Sequence, residues 1–401
     1  MIRFTLILSA ALLLSAGVVV AQQPVPRILP PEYSRIVLLG DSITDGLTYQ
    51  LLLEQALMEA GFQKPVLMNA GVGGDTAKGM GERVERDVLS RNPTTVLLSC
   101  GINDAREVAP ADFRESVVSI IEQLRAKNVR IILLQPSMVR PFDFSKVDRT
   151  KLSPEQIEDL EANEAEAPVV LGRLTGYRII LRQLAKQYSL PLADIDGAMQ
   201  KVYANGVDQW EDDGTHLSFA GYRTMVRAVL DALNLPDIAV PAVAKIHPAP
   251  GIFKQWQVRA LPENSVALDE KSIAEVRFDG DWQKLILPMP KVQDHWYWEQ
   301  ARQRGVALDL NQTFKASIFW ASTTFDIKKP QSLYLNTGAS VSSVWLRKTG
   351  EAWKPVWKNP GGALGWHATP RVRLDFTPGE YSLLAETGSQ FFISLTTDDA
   401  M

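Results

Sequence analysis

Cysteine is almost missing from this chain: 401 residues hold one, Cys100, so no disulfide can form within it. Histidine is scarce as well. The four are His216, His247, His295 and His367, and no two of them stand at i,i+4. With a single cysteine, that leaves no recognisable zinc ligand set, and a site without metal is expected. There is no basic excess either: 42 Lys and Arg against 46 Asp and Glu give a net charge of -4. Nucleic-acid binding therefore has no electrostatic footing, because nothing is available to neutralise a phosphate backbone. Runs of like charge and heptad repeats are also lacking.

What is present is a large apolar fraction, 46% of residues, in a chain long enough for two domains. The first residues have a separate purpose. Arg3 precedes an apolar run from Phe4 to Val20 that ends in small residues at Ala21. This reads as a signal peptide over 1–21, cut after Ala21, followed by a leader over 22–32. The rival is an uncleaved anchor, since the run approaches spanning length. Ser9, Ser15 and Gly17 interrupt it and no basic stop follows, which favours cleavage and no stable membrane insertion. The expected location is periplasmic or secreted, and a chain without disulfides in that setting must rely on its core.

Beyond the leader, short β-rich runs alternate with amphipathic segments. Arg35–Leu39, Pro65–Asn69, Thr94–Cys100 and Val129–Gln135 read as strands; segments near 47–61, 76–90, 110–127, 170–189 and 218–234 read as helices. That alternation predicts a parallel sheet covered on both faces, over residues 33–236. The stretch 137–167, acidic after Ser153, fits it less well and could be a helical insertion or lid. Prolines at 236, 241, 248 and 250 mark a linker over 237–252. After it, nine of the ten tryptophans appear and alternation replaces helical periodicity, as in Arg371-Val372-Arg373-Leu374-Asp375-Phe376. A β-sandwich is expected over 253–401.

Four segments carry chemistry. Gly40-Asp41-Ser42 lies between a strand and a helix, where open α/β sheets place their ligands. Its rival reading is a plain helix cap, and it is not the G-x-S-x-G elbow, because Thr44 occupies the last position. Asn69-Ala70-Gly71-Val72-Gly73-Gly74-Asp75 frees backbone N–H groups for a close-approaching ligand. It lacks both the third glycine of a dinucleotide fingerprint and a P-loop lysine, so no nucleotide cofactor is expected. Gly101-Ile102-Asn103-Asp104 follows the third strand and can aim an amide N–H at the same space. Asp213-Gly214-Thr215-His216 holds the one histidine before the linker, with a carboxylate three residues away to orient it. Cys100 ends an apolar run and reads as a buried strand residue. Asp294-His295-Trp296-Tyr297-Trp298 reads as packing or sugar contact.

Together the four segments resemble the SGNH (GDSL-type) hydrolase family, whose blocks contribute a serine, a glycine, an asparagine and a histidine in that order. The resemblance implies a flavodoxin-like three-layer α/β/α fold and a serine esterase with no cofactor. It assigns Ser42 as nucleophile, His216 as general base and Asp213 as its orienting carboxylate. The oxyanion hole would be the N–H groups of Ser42 and Gly74 with the Asn103 side chain. Exported members are often carbohydrate esterases that remove acetyl groups. A lipase- or thioesterase-type acyl hydrolase is the alternative, and a non-catalytic carbohydrate-binding protein a further one. The second half resembles, weakly, a galactose-binding-like jelly-roll, which favours a polysaccharide ester as substrate.

Overall fold

A computed structural model describes residues 26–245, 250–286 and 308–397, apart from positions 264, 266, 311–313, 315, 339, 363 and 368. The signal-peptide expectation for 1–21 and the Asp294–Trp298 segment lie outside the described residues.

The first half is built on five strands: β1 (Arg35–Gly40), β2 (Val66–Gly71), β3 (Thr95–Ser99), β4 (Arg130–Leu134) and β5 (Leu192–Ala193). All pair in parallel, in the order β2-β1-β3-β4-β5, the flavodoxin-like arrangement. Successive side chains of a strand point to opposite faces, so each apolar run is divided between two layers. Ile36 and Leu38 enter one core, while Val37 and Leu39 enter the other. This explains why the strands read as continuous apolar runs.

The first layer holds α2 (Thr48–Glu59), α7 (Ile195–Ala204) and α8 (Phe219–Ala232), and the second holds α3 (Ala77–Glu82), α5 (Pro110–Arg125) and the later part of α6 (Pro154–Tyr188). Short helices α1 (Ser42–Asp45) and α4 (Asp104–Glu107) follow β1 and β3 directly. In α5, the residues Phe113, Val117, Ile120, Ile121 and Leu124 form a fully buried stripe at helical spacing. Truncating any of the larger ones would cost about 2–5 kcal/mol.

Three sequence expectations are refined. The helix near 76–90 is α3 followed by a wider π-type turn over Val84–Val88 and a tight turn over Leu89–Arg91. β5 and α7 had not been anticipated. The 170–189 helix extends back to Pro154, so the acidic part of 137–167 is its exposed first half. A capping box at Ser153 and Gln156 starts the helix there. It then continues through Pro168, although that residue has no N–H for the Glu164 carbonyl.

The second half is antiparallel and sandwich-like. It comprises β6 (Gln255–Leu261), β7 (Gln283–Ile286), β8 (Leu308–Asp309), β9 (Ile318–Ile327), β10 (Gln331–Thr337), β11 (Val341–Lys348), β12 (Lys354–Lys358), β13 (Val372–Phe376), β14 (Gly379–Thr387), β15 (Gln390–Phe391) and β16 (Ile393–Thr396). A six-stranded sheet, β12-β11-β14-β9-β6-β7, faces a three-stranded one, β13-β10-β16, over a core that includes Val258, Phe319, Val344, Leu335 and Ile393. β13 and β14 lie in different sheets, so the Thr377-Pro378 turn carries the chain across the sandwich. Trp256, Trp345, Trp357 and Trp366 are buried.

The two halves are in direct contact. Before the second half begins, Ile238 and Ala244 are buried in the α/β core. Gln55 accepts from the Lys245 N–H at 2.8 Å and donates to the Val243 carbonyl at 3.0 Å. Further along, the N–H of Trp366 donates to Asp45 Oδ1 at 2.6 Å, joining the β12–β13 connection to α1.

Candidate active site

The register of the sheet brings three of the sequence blocks together. Gly40 of β1 lies level with Gly71 of β2, and Leu39 with Leu98 of β3, so the segments beyond these residues leave the same edge side by side. β1 turns straight into α1. A side chain at Gly40 would collide with Thr44, and one at Gly71 with the Asp45 backbone, so both positions need glycine. Asp41 caps α1 by accepting the Ile43 N–H at 3.0 Å. Its carboxyl is buried and pushed up to about 7, mainly by burial, against the Ile43 hydrogen bond and with help from the negative Asp104 and Asp75.

Ser42 is the first residue of α1, and its N–H has no acceptor among the described residues, as is usual for the first turn of a helix. The same is true of the Gly74 N–H, in a turn where Gly74 has φ +77°. Asn103 directs Nδ2 to the Asp75 carbonyl at 3.0 Å, which fixes the amide beside that turn and leaves its second N–H to donate elsewhere.

The fourth block arrives on a loop ahead of α8. Trp210 and Leu217 pair across its base, and Glu211 N–H donates to the His216 carbonyl at 2.9 Å. Gly214, at φ +68°, makes the turn. Asp213 Oδ1 accepts the N–H groups of Thr215 and His216, each at 2.8 Å, while Oδ2 meets His216 Nδ1 at 2.5 Å. Burial tends to raise this carboxyl, but the hydrogen bonds from the imidazole and the two backbone groups outweigh it and hold it below its ordinary value. His216 Nε2 then stands 2.8 Å from Ser42 Oγ. With Nδ1 facing a carboxylate, Nδ1 carries the proton and Nε2 is left to accept one from the serine.

All five residues singled out in the sequence therefore lie at one edge of the sheet. Ser42, His216 and Asp213 form a continuous hydrogen-bonded array, and Gly74 and Asn103 flank it from β2 and β3. Several supporting residues had not been anticipated. Arg83, almost fully buried, donates to the carbonyls of Gly40 and Ala70 and pairs with Asp75 at 2.7 Å, linking the ends of β1 and β2 to the Gly74 turn. Asp104 accepts the Ala77 N–H at 3.0 Å and so ties the Asn103 block to α3. Arg140 gives its N–H to the Gly214 carbonyl at 2.8 Å, and its guanidinium reaches Asp208 and the Trp210 carbonyl, strapping the segment after β4 to the histidine loop. An arginine in a helix or loop shows no such reach in sequence alone. Cys100 is buried and its thiol is pushed well up, first by burial and then by nearby carboxylates, which suits a packing role. Among the described residues, no three His, Cys, Asp or Glu side chains converge as a metal would require.

An array of this kind can activate a hydroxyl for attack on a carbonyl and can hold the oxyanion that results. The chain is also similar to known acylhydrolases and esterases. Residues 38–224 match the GDSL-like Lipase/Acylhydrolase family. A stretch of 106 residues is 29% identical to Esterase TesA of Pseudomonas aeruginosa, covering 25% of this chain and 52% of that protein. The chain thus spans about half the length of this curated relative. Among solved structures, a lipase/acylhydrolase from Enterococcus faecalis is 24% identical over 52% of this chain and 98% of its own, with a TM-score of 0.41. A catalytic mutant of an acetylxylan esterase from Geobacillus stearothermophilus is 20% identical over 50% and 94%, with a TM-score of 0.39. Over residues 38–224 the chain is accordingly similar to the GDSL-like Lipase/Acylhydrolase family.

Proposed function

We propose that the chain is an exported serine esterase that works through an acyl-enzyme, with an acetylated carbohydrate as its substrate. The observation that carries the reading is the array from Ser42 Oγ through His216 to Asp213, at 2.8 and 2.5 Å. In the first step Ser42 Oγ bonds to the ester carbonyl carbon while His216 Nε2 takes the hydroxyl proton. The carbonyl electrons move to oxygen, and the oxyanion is held by the N–H groups of Ser42 and Gly74 and by Asn103 Nδ2. Collapse breaks the bond to the alcohol, which leaves with the proton from His216. Water repeats the sequence on the acyl-enzyme, with its proton passing through the same imidazole. Asp213 keeps the ring oriented throughout and stabilises its charged form.

Export is supported by Arg3 and the apolar run that follows it, and a carbohydrate substrate by the sandwich attached to the esterase domain. The test compares acetate release from acetylated polysaccharide, and turnover of an aryl acetate, between wild type and Ser42→Ala. The variant should lose on the order of 10⁴-fold or more in kcat and all labelling by an active-serine phosphonate. Full turnover in purified Ser42→Ala would overturn the assignment.

A further inference from the structure

Beside the array lies a cleft of about 440 Å³ whose near wall is Asn103 and Asp213–Thr215. Its far walls are the segment after β4 and the first half of α6, the part of the chain that the family resemblance explains least. An acetyl methyl would occupy only a small share of that space. Something larger is accommodated, and the cleft shares Asn103 and Asp213 with the site.

The lining has two kinds of surface. Phe142 and Phe144 stand edge to face, with ring centroids 4.7 Å apart, and Phe142 is more than half exposed. Opposite, α6 presents positions 160, 163, 167, 170 and 174, spaced by threes and fours and hence on one face of the helix. Most of these are apolar, but Asn163 and its neighbour on the same side, Glu166, are not. Arg106 adds a guanidinium. The side chains of Arg106, Asn163 and Glu166 make no hydrogen bond or ion pair with another described residue, so water or a ligand must satisfy them. An alkyl chain filling the cleft would strip that water and return nothing to three polar groups. A sugar ring has both faces needed: its C–H surface stacks on aromatic rings, while its hydroxyls give and accept hydrogen bonds at an amide, a carboxylate and a guanidinium.

We propose, on the basis of the serine-esterase reading, that this cleft binds the pyranose ring of the alcohol part of the substrate. The subsite that selects sugar esters then belongs to the α/β domain, and Asn163, Glu166 and Phe142 determine specificity there. Arg140 makes the position exact enough to matter, because it fastens the cleft wall to the loop that carries Asp213 and His216.

The experiment compares full-length wild type, Asn163→Ala/Glu166→Ala and Phe142→Ala on three substrates: an acetylated xylo-oligosaccharide, p-nitrophenyl acetate and p-nitrophenyl octanoate. All three positions are on the surface, and the thermal midpoint serves as a check on folding. The double variant should raise KM for the oligosaccharide about tenfold, as expected from losing one or two ordinary hydrogen bonds. Its kcat/KM for p-nitrophenyl acetate should stay within about twofold of wild type, since uniform binding to the sugar is what has been removed. An unchanged KM for the oligosaccharide overturns the proposal, and so does a larger loss on the octanoate, which would make the cleft an acyl pocket. A wild type that cleaves p-nitrophenyl acetate but no acetylated saccharide sinks this inference alone. Undiminished turnover in Ser42→Ala sinks the esterase reading beneath it.

Discussion

The two halves of the molecule handle buried polarity in opposite ways. In the α/β half, the buried polar groups include Asp41, Asp45, Arg83, Asp87, Arg91, Asp104, Arg178 and Asp196, several of them gathered at the strand ends around Ser42. In the sandwich, the buried polar residues are mostly neutral: Asn336 donates to Ser394 and Thr396, and Thr369 bonds to Thr337. Among its described residues Glu386 is the buried carboxylate, accepting the Leu268 N–H. Burying charge is expensive and is seldom the most stable solution. A half that keeps so much of it under the edge where Ser42 and His216 meet has been shaped by chemistry, whereas the other half has been shaped by packing.

The largest effect that would sharpen this contrast is at Asn103. Replacing it with Ala should lower kcat on an aryl acetate by on the order of 10²–10³ with KM little changed, the usual loss for one oxyanion donor. A drop in KM and kcat by the same modest factor would instead mark Asn103 as a tether for the Asp75 turn. Asp41 tests the charge itself. Its carboxyl has an ordinary value of 3.8 and a folded value of about 7. Between those values the folded protein holds a proton that the unfolded chain has lost, so stability falls as pH rises through this window, and the deficit is complete above it. Asp41→Asn keeps an acceptor for the Ile43 N–H and removes the deficit. It should therefore gain on the order of 2–4 kcal/mol over wild type on going from pH 4 to pH 8, measured by denaturant melts. Parallel pH curves for the two proteins would show that Asp41 carries no such burden.

How much of this could be read from sequence followed the same division. Ser42, Gly74, Asn103 and the Asp213–His216 pair were legible because a parallel sheet exposes its ligand edge at strand ends, and each block follows a strand or precedes a helix. Arg83 was not, since its role depends on reaching the carbonyls of two strands far away in sequence. β5 has two residues, Leu192 and Ala193, too few to show any period. The backward extension of α6 runs through Pro168, which ordinarily breaks a helix, and Leu174, Tyr177 and Leu181 bury the part that follows strongly enough to hold it. The contact between Trp366 and Asp45 spans 321 positions and involves a backbone donor, which leaves no trace in side-chain pattern.

That contact is where the contrast between the halves can be broken. Asp45 closes the same short helix that Ser42 opens, and its partner comes from the sandwich. Asp45→Ala deletes the acceptor of the Trp366 N–H and should cost about 1–3 kcal/mol of stability. If the sandwich helps to hold Ser42, kcat on p-nitrophenyl acetate falls with it while KM stays. A lower melting temperature with unchanged kcat would make the contact a seam between two independent bodies.

The smallest effect belongs wholly to the sandwich. Arg347 lies 4.5 Å from the ring centroid of Trp353 and 5.9 Å from that of Phe278, on the outer face of the six-stranded sheet's aromatic cluster. A cation over aromatic faces at a partly exposed site contributes about 0.5–1 kcal/mol. Arg347→Ala should therefore lower the thermal midpoint by only a few degrees, about what a 1 kcal/mol loss produces in a domain of this size. Turnover of both small and saccharide esters should be unchanged. A selective rise in KM for the acetylated oligosaccharide would move sugar recognition from the cleft beside Asn103 into the sandwich. The half with little buried charge would then be a binding surface as well as a packed one.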